Sequence, residues 1–338
     1  RFFDVFSISL LGGLLFISSL TMFMSGLVAN FEFDLKKIIA LSTLSQLGLM
    51  MSILALGEIY LAFFHLLMHA LFKALLFMCA GSMIHGLNDC QDIRFMGSVT
   101  NYMPLTSVFF NLSNLALCGL PFMSGFYSKD LALEFMSMEY FNIYVYFIFY
   151  LSTGLTVSYT VRLIYYTMVG DLNLNSFCSL SDPGKFMLKG MGGLIFLVIF
   201  GGSLISWLVF PTPYFICLPF SMKLMVWLVV FFGAFLGYLM SQVSFSDSSK
   251  CLSTYSLFFF LSSMWNLNFL STFGVNYYFL LFGTKFSDLI DQGWSEYFGS
   301  QNLYKCISNG SVKFQIIFMN NLKIFLTLLL LWICLMFL

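Results

Sequence analysis

The sequence predicts an all-α fold: a polytopic bundle of transmembrane helices with one broken helix, a long lateral amphipathic helix and a C-terminal anchor helix. Of its 338 residues, 60% are hydrophobic and only 9% are charged, whereas soluble domains carry about 25% charged residues. Such a chain cannot give itself a polar surface in water, so most of its exterior is expected to face lipid. Its apolar runs also reach the roughly 20 residues that a helix needs to cross the hydrocarbon layer.

Several stretches have the length and apolarity of membrane spans. They lie at 8–29, 36–56, 60–84, 104–133, 140–168, 187–210, 221–242 and 321–338. Asp34 precedes the second span and is a candidate N-cap. The fourth span contains Gly119, Pro121 and Gly125, which predicts two half-helices with an unwound middle. Because an interrupted helix is tolerated at membrane depth only where its freed backbone groups line protein or water, a cavity is predicted beside Lys129.

The distribution of basic residues predicts the orientation. Alternate threading puts the loops at 30–35, 85–103, 169–186 and 243–250 on one side, named side one, and the loops near 57–59, 134–139 and 211–220 on side two. Basic residues in or beside the loops are Lys36, Lys37, Arg94, Lys185, Lys189 and Lys250 on side one, and Lys223 alone on side two. By the positive-inside rule, side one faces the negative, cytoplasm-like compartment.

Region 270–317 differs in composition from the spans. It carries Lys285, Asp288, Asp291, Glu296, Lys305 and Lys313 among Trp294, Tyr297, Phe298 and Tyr304. No window in it is apolar enough to span, so it predicts an amphipathic segment along the membrane face or along neighbouring helices. If helical throughout, it would extend about 70 Å, and the final span would anchor it.

Three ionisable residues stand at four-residue spacing inside the third span. Four residues advance a helix by about 400°, so His65, His69 and Lys73 form one stripe on a helix face. Charge at membrane depth costs at least ~2.5–3.5 kcal/mol per residue, and this favours a hydrated proton relay. A lysine paired across helices, beside histidines satisfied in the core, is the simpler alternative. A metal pair is weaker still, because no Glu of the His-Glu-x-x-His type and no further ligand cluster accompanies the histidines.

Lys129 is the second intramembrane lysine of interest. Asp130 is adjacent and Glu134 lies one turn further on, so the lysine could exchange carboxylate partners. A lysine that snorkels from a helix end is an equally good interpretation of the pattern. Arg162 also lies deep enough to need a partner, which the sequence does not name.

Two of the spans are unusually polar. Their hydroxyl and amide side chains could hold a water file between titratable groups, or could form interhelical hydrogen bonds worth about 0.6 kcal/mol each. These side chains are Ser42, Thr43, Ser45 and Gln46 in 36–56, and Thr153, Thr156, Ser158, Tyr159 and Thr160 in 140–168.

Charge and cysteine usage exclude several functions. The formal net charge is zero, which argues against nucleic acid or a polyanionic substrate as a partner. The cysteines are scattered without a Cys-x-x-Cys pair, which favours small buried hydrophobes over disulfides, zinc or an iron–sulfur centre. They are Cys79, Cys90, Cys118, Cys178, Cys217, Cys251, Cys306 and Cys334.

At these residues the chain resembles a known family. The segments DLKKIIALSTLSQLG (34–48), HLLMHALFKALLF (65–77), QDIRFMG (91–97), LPFMSGFYSKD (120–130) and DQGWSEYF (291–298) resemble the mitochondrial NADH–ubiquinone oxidoreductase chain 5 family of respiratory complex I. The similarity extends over essentially the whole chain. The large membrane subunits of that complex resemble cation/proton antiporters and contain two inverted five-helix repeats, each with a broken helix.

The resemblance implies a division of the chain. Residues 1–168 would form the second five-helix repeat, 169–269 additional transmembrane helices, 270–320 the lateral helix and 321–338 the anchor. Lys129 matches the family's broken-helix lysine on the outlet side, and His65, His69 and Lys73 match its central hydrophilic axis. Side one would face the matrix, in agreement with the basic residues of its loops.

The resemblance also implies a function. The chain would be a core membrane-arm subunit of proton-translocating NADH:ubiquinone reductase, multi-pass in the mitochondrial inner membrane, with the lipid bilayer, protons and other complex I membrane subunits as partners. NAD, FMN, iron–sulfur clusters and ubiquinone would be handled by those partner subunits, because no cofactor motif and no metal site is found in this sequence. The alternatives are a stand-alone cation/proton antiporter subunit and a purely structural membrane scaffold.

Two departures from the family pattern qualify these expectations. The first repeat has no counterpart here, and the chain begins with Arg1 rather than Met, so we expect it to be part of a longer polypeptide. Met68 stands where relatives commonly carry threonine, which removes a hydroxyl from the stripe and leaves its ionisable residues intact.

Overall fold

The computed structural model describes residues 3–138, 142–174, 179–182, 184–243, 254–319 and 321–337. Within these ranges the regular structure is helical, and strand pairing is limited to one isolated bridge between Asp34 and Asp92. The chain divides into two compact units, Arg1–Trp265 and Asn266–Leu338. The predictions made for Cys178, Lys250 and Cys251 fall outside the described residues.

The first unit is a bundle of long apolar helices. Its α-helices are α1 (Ile8–Phe31), α2 (Leu35–Ala55), α3 (Ile59–Gly86), α4 (Val99–Tyr102), α5 (Pro104–Cys118), α6 (Leu131–Met138), α7 (Ile143–Ile164), α8 (Lys185–Val209), α9 (Phe220–Gln242) and α10 (Tyr255–Ser262). In the described part of the chain, six helices are long and apolar enough to cross a membrane: α1, α2, α3, α7 with its extension to Val169, α8 and α9. The predicted polytopic transmembrane fold is confirmed.

The fourth predicted span is interrupted in the structure. Helix α5 ends at Cys118, and Gly119 follows with a left-handed φ of 84°. The chain resumes as a π-helix at Phe126–Asp130, which leads into α6. A Cβ on Gly125 would lie 1.8 Å from the Ala116 carbonyl oxygen, so only glycine allows the two halves to approach this closely.

The side-one loops bind one another, as alternate threading predicts. Ile93 N donates to Phe33 O at 3.0 Å, and Ser98 N donates to Gly170 O at 2.8 Å. These two bonds join the loops that follow α1, α3 and α7. Two backbone amides and two backbone carbonyls of the loops are thereby satisfied.

The N-cap prediction for Asp34 needs a correction. Asp34 does occupy the N-cap position of α2, but its side chain accepts no cap hydrogen bond. Its carboxylate lies 2.8 Å from the Lys37 ammonium instead. The Lys37 ammonium competes successfully with the backbone amides for the Asp34 carboxylate, because a hydrogen bond between two charged groups is stronger than one from a neutral amide.

Side two is closed by an aromatic loop. Tyr214 OH donates to a Glu58 carboxylate oxygen at 2.7 Å, which joins the loop before α9 to the start of α3. The rings of Phe210 and Phe64 pack edge-to-face at 5.4 Å beside this bond. Burial, together with the hydrogen bond to Glu58, raises the pKa of Tyr214 above its ordinary value, so the phenol stays a donor at neutral pH.

Helices α7 and α9 cross at small residues. A Cβ on Gly233 would lie 2.4 Å from Gly154 O, and a Cβ on Gly237 would lie 2.3 Å from Ser158 O. Glycine at both positions lets the two backbones touch. In lipid, the burial of apolar side chains between helices contributes little to their association, so helices associate through close packing of this kind.

The second unit is an almost continuous helix followed by a short one. It comprises α11 (Leu267–Phe269), π segments at Leu270–Gly274, Ser287–Trp294 and Tyr297–Gln301, α12 (Val275–Phe286), α13 (Asn302–Phe318) and α14 (Leu322–Met336). None of the described residues in these elements is buried. That this segment lies along a membrane face or along neighbouring helices stays a prediction. Helix α14, with 15 residues, is about 22 Å long and shorter than the predicted span.

Candidate functional site

The stripe on α3 faces the interior of the first unit. His65, His69 and Lys73 are 1%, 8% and 4% exposed. The four-residue spacing therefore places all three side chains against protein rather than against lipid. Because an isolated charge is costly there, the neighbours of each group decide what it can do.

His65 joins three elements. Its Nδ1 lies 3.0 Å from the Ser128 hydroxyl on the π-helix, and its Nε2 lies 3.2 Å from the Gln46 Oε1 on α2. Both ring nitrogens are therefore hydrogen-bonded, to side chains that come from either side of α3. Ser128 is itself fully buried.

The other two stripe residues have fewer partners. Lys73 Nζ donates to the Ser42 hydroxyl on α2. The His69 ring lies 6.4 Å from the His65 ring, centroid to centroid, and within the described residues its buried Nε2 has no hydrogen-bond partner. A buried polar atom of this kind needs a water or another polar group. The stripe therefore has unused hydrogen-bonding capacity at its centre.

Lys129 is held inside the bundle. Its side chain is 2% exposed, and its Nζ donates to Thr156 Oγ1 at 2.9 Å and to Leu117 O at 3.4 Å. This burial contradicts the alternative of a lysine that snorkels to the membrane edge. The sequence had placed Thr156 among the candidate polar side chains, and the structure selects it as the acceptor.

The two predicted carboxylate partners lie beside Lys129 without pairing with it. Among the described residues, neither Asp130 nor Glu134 forms an ion pair with the Lys129 ammonium. The Asp130 carboxylate lies beside Gly119, whose added Cβ would be 3.2 Å from its Oδ1. An exchange of carboxylate partners at Lys129 stays a prediction.

The structure also supplies the partner of Arg162. One guanidinium nitrogen donates to the backbone carbonyls of Ala29 and Glu32 at the end of α1. The last carbonyls of a helix lack partners within it and attract cations. The guanidinium groups of Arg162 and Arg94 both lie over the Phe33 ring, at 5.3 and 4.3 Å from its centre.

An exposed ion pair lies beside this arginine on side one. Partial burial opposes ionisation of Asp92, but the hydrogen bonds from Arg94 outweigh it and hold the pKa of Asp92 below its usual range. The two side chains, 2.6 Å apart, stay charged at neutral pH. They order the loop without reaching the interior.

Ser128 is the site residue that the sequence reasoning missed. The available signal was its position directly before Lys129 in the interrupted segment, where Ser128 and Lys129 are both buried. In the described part of the chain, no three His, Cys, Asp or Glu side chains converge as a metal site.

Comparison with known families gives two matches that together cover the chain. Residues 2–156 match the family described as NADH:quinone oxidoreductase/Mrp antiporter, TM, and residues 159–338 match NADH dehydrogenase subunit 5 C-terminus. NADH-ubiquinone oxidoreductase chain 5 of Anopheles quadrimaculatus is 54% identical over 94% of the chain and 55% of its own length. The Locusta migratoria protein is 52% identical over 96% and 57%. The chain thus spans about half the length of these curated relatives.

A solved structure has a similar fold. An Mrp complex from Dietzia sp. contains a chain that is 17% identical, with a TM-score of 0.52, over 68% of this chain and 49% of that one. Similarity at this identity concerns the fold alone. It agrees with the antiporter-like helical architecture predicted from the sequence.

Proposed function

The chain belongs to the NADH dehydrogenase subunit 5 family, and from this premise we propose that it is an antiporter-like core membrane-arm subunit of proton-translocating NADH:ubiquinone reductase. Its place is the mitochondrial inner membrane, which it crosses several times. In this function it moves protons across the membrane while its partner subunits transfer electrons. The proposal extends to the longer chains of the family, of which this one spans about half.

One observation supports the proposal above the others: two buried lysines and a doubly hydrogen-bonded histidine share one protein interior. Lys73 is bonded to α2, His65 to α2 and to the π-helix, and Lys129 to α7. None of the three forms an ion pair among the described residues. A scaffold has no need of such groups, since unpaired charge at this depth costs several kcal/mol.

Unpartnered buried polar atoms on α2, α3 and α5 support a hydrated path. Gln46 Nε2, His69 Nε2 and Asn114 Nδ2 are buried, and the described residues offer them no hydrogen bond. Water can bond such atoms and carry protons between titratable side chains. The path would then run along the stripe of α3 towards the broken helix.

The membrane potential requires that such a path be gated. When one elementary charge crosses a membrane potential of 100 mV, its free energy changes by about 2.3 kcal/mol. In the proposed cycle, Lys73 and Lys129 alternate between charged and neutral, and Asp130 and Glu134 change the proton affinity of Lys129 as they approach or leave it. His65 and His69 connect the two lysines.

The same proposal assigns the redox chemistry elsewhere. NAD, FMN, iron–sulfur clusters and ubiquinone would bind partner subunits, and this chain would carry none of them. The exposed helices of the second unit would brace neighbouring membrane subunits of the complex. Similarity to an Mrp chain keeps a stand-alone cation/proton antiporter as the second candidate, and co-purification with an NADH-oxidising assembly separates the two.

Replacement of Lys129 tests the proposal. In the full-length chain within its assembled complex, Lys129→Ala should lower the number of protons moved per electron and the rate of coupled turnover. NADH oxidation by an artificial acceptor should persist, because that reaction does not pass through this chain. Lys36→Ala, at an exposed lysine near the start of α2, is the control and should leave both rates unchanged.

An unaltered proton-to-electron ratio in Lys129→Ala would remove this lysine from the path. A scaffold role predicts that Lys73→Ala combined with Lys129→Ala changes only assembly or nothing.

A further inference from the structure

The arrangement around Ser128 carries an inference that rests on the proposed function and deepens it. We infer that the Ser128 hydroxyl is a two-position rotor, which lets His65 gain and lose a proton without leaving a buried polar atom unpaired. Ser128 is thus a positioning residue: it acts through His65, whose Nδ1 it pairs in both protonation states.

The first step of the argument concerns the neutral histidine. Gln46 presents its amide oxygen to His65 Nε2 at 3.2 Å, and a carbonyl oxygen can only accept. The ring hydrogen of neutral His65 therefore lies on Nε2, and Nδ1 carries a lone pair. The Ser128 hydroxyl, 3.0 Å away, donates to that lone pair. Nδ1, the nitrogen of neutral His65 that can accept a proton, thus faces the broken helix.

The second step concerns the charged histidine. When a transported proton binds Nδ1, both ring nitrogens become donors, and Ser128 must present a lone pair instead of its hydrogen. Its hydrogen then has two alternative acceptors, since Ser124 O and Gly125 O each lie 3.4 Å from the hydroxyl. These backbone oxygens come from the preceding turn of the same segment. Rotation of one O–H bond accommodates both protonation states of His65.

The third step concerns the surroundings that make the rotor necessary. His65 and Ser128 are at most 1% exposed, so bulk water cannot supply a missing partner. An unsatisfied buried donor or acceptor costs about 1–3 kcal/mol, and without the rotor that cost would fall on one of the two protonation states. The hydroxyl removes that cost from both protonation states.

Three substitutions test the rotor in the full-length chain within its complex. Ser128→Ala removes the hydroxyl with little change in volume and should lower coupled proton transfer by about tenfold or more, since positioned proton-transfer partners contribute about 10²–10⁴-fold. Ser128→Thr keeps the hydroxyl and should restore most of the rate. Ser128→Cys, whose thiol is a weaker donor, should be intermediate and replaces the threonine variant if that chain fails to assemble on a native gel.

Ser124→Ala is the matched control. Ser124 lies one turn earlier and is equally buried, and its hydroxyl has no hydrogen bond among the described residues, so its removal should leave proton transfer unchanged. A loss in Ser124→Ala as large as in Ser128→Ala would overturn the rotor in favour of a packing effect. So would full activity of Ser128→Ala alongside an uncoupled Lys129→Ala, which leaves the proposed function standing. Full activity of both variants would overturn the proposed function itself.

Discussion

Lys129 depends on one side-chain acceptor. Its ammonium group can donate three hydrogen bonds, and the structure shows two, to the Thr156 hydroxyl and to the Leu117 carbonyl. The carbonyl is fixed by α5, whereas the hydroxyl belongs to α7. The balance between charged and neutral lysine is therefore set at a contact between two helices, and a change in that contact would change the proton affinity.

Thr156→Val should weaken the charged form of Lys129. The substitution keeps the shape of the side chain but removes the acceptor at 2.9 Å, and a hydrogen bond to a charged group is worth about 1.5–3 kcal/mol. We expect slower coupled proton transfer at unchanged NADH oxidation by an artificial acceptor. Thr153→Val is the control, because among the described residues that hydroxyl bonds only Tyr150 O of its own helix. Equal rates in the two variants would contradict the role of Thr156.

At the scale of elements, the broken helix and the α7–α9 crossing depend on backbone contact. The first brings the Ala116 carbonyl against Gly125, and the second brings the Gly154 carbonyl against Gly233. Both contacts exclude a Cβ. The α7–α9 contact also sets the position of α7, the helix that carries Thr156. Packing at this crossing therefore affects the contact between Thr156 and Lys129, although it is remote from the lysine.

Gly233→Ala should destabilise the complex. The new Cβ would lie 2.4 Å from Gly154 O, so α9 must shift, and overpacking of this kind costs about 1–3 kcal/mol. Gly192→Ala on α8 is the control: its Cβ would meet nothing within 4 Å, and alanine favours helix by up to about 1 kcal/mol. The midpoint of thermal inactivation should fall for the first variant and hold or rise for the second. The opposite order would show that the crossing does not depend on glycine.

At the scale of the whole molecule, the two units differ in what they bury. The first unit encloses the titratable groups of the site, whereas none of the described residues in the helices of the second is buried. Large exposed side chains such as Trp294, Tyr297 and Phe298 lie on that second unit. Contiguous exposed apolar surface indicates contact with lipid or with other subunits.

Removal of residues 266–338 should separate insertion from assembly. A chain that ends at residue 265 keeps every contact of the candidate site, so we expect it to enter the membrane with its site intact. It should lose co-purification with the other membrane subunits, because the proposed brace is gone. A chain that ends at residue 318 is the intermediate control. Wild-type recovery of the partners with the shorter chain would reject the brace.

Much of this fold was accessible from the sequence. The free energy of transfer of each side chain from water to lipid, and the length of an apolar run, depend on neighbouring residues in the sequence alone. Six spans were therefore predicted to within a few residues of their observed ends. Pro121 and two glycines indicated the interruption, and four-residue spacing placed His65, His69 and Lys73 on one face. The grouping of loops into two sides also followed from alternate threading, and the loop hydrogen bonds agree with it.

What the sequence by itself determined was therefore which residues form the long apolar helices, where the fourth predicted span is interrupted, and which ionisable side chains share a helix face. Only the tertiary structure decided their partners: Ser128 for His65, 63 residues away, Thr156 for Lys129, 27 away, and the end of α1 for Arg162, more than 100 away. The physical reason is that a hydrogen bond between helices depends on the rotation, depth and crossing angle of both. Periodicity along one helix carries no information on those three quantities.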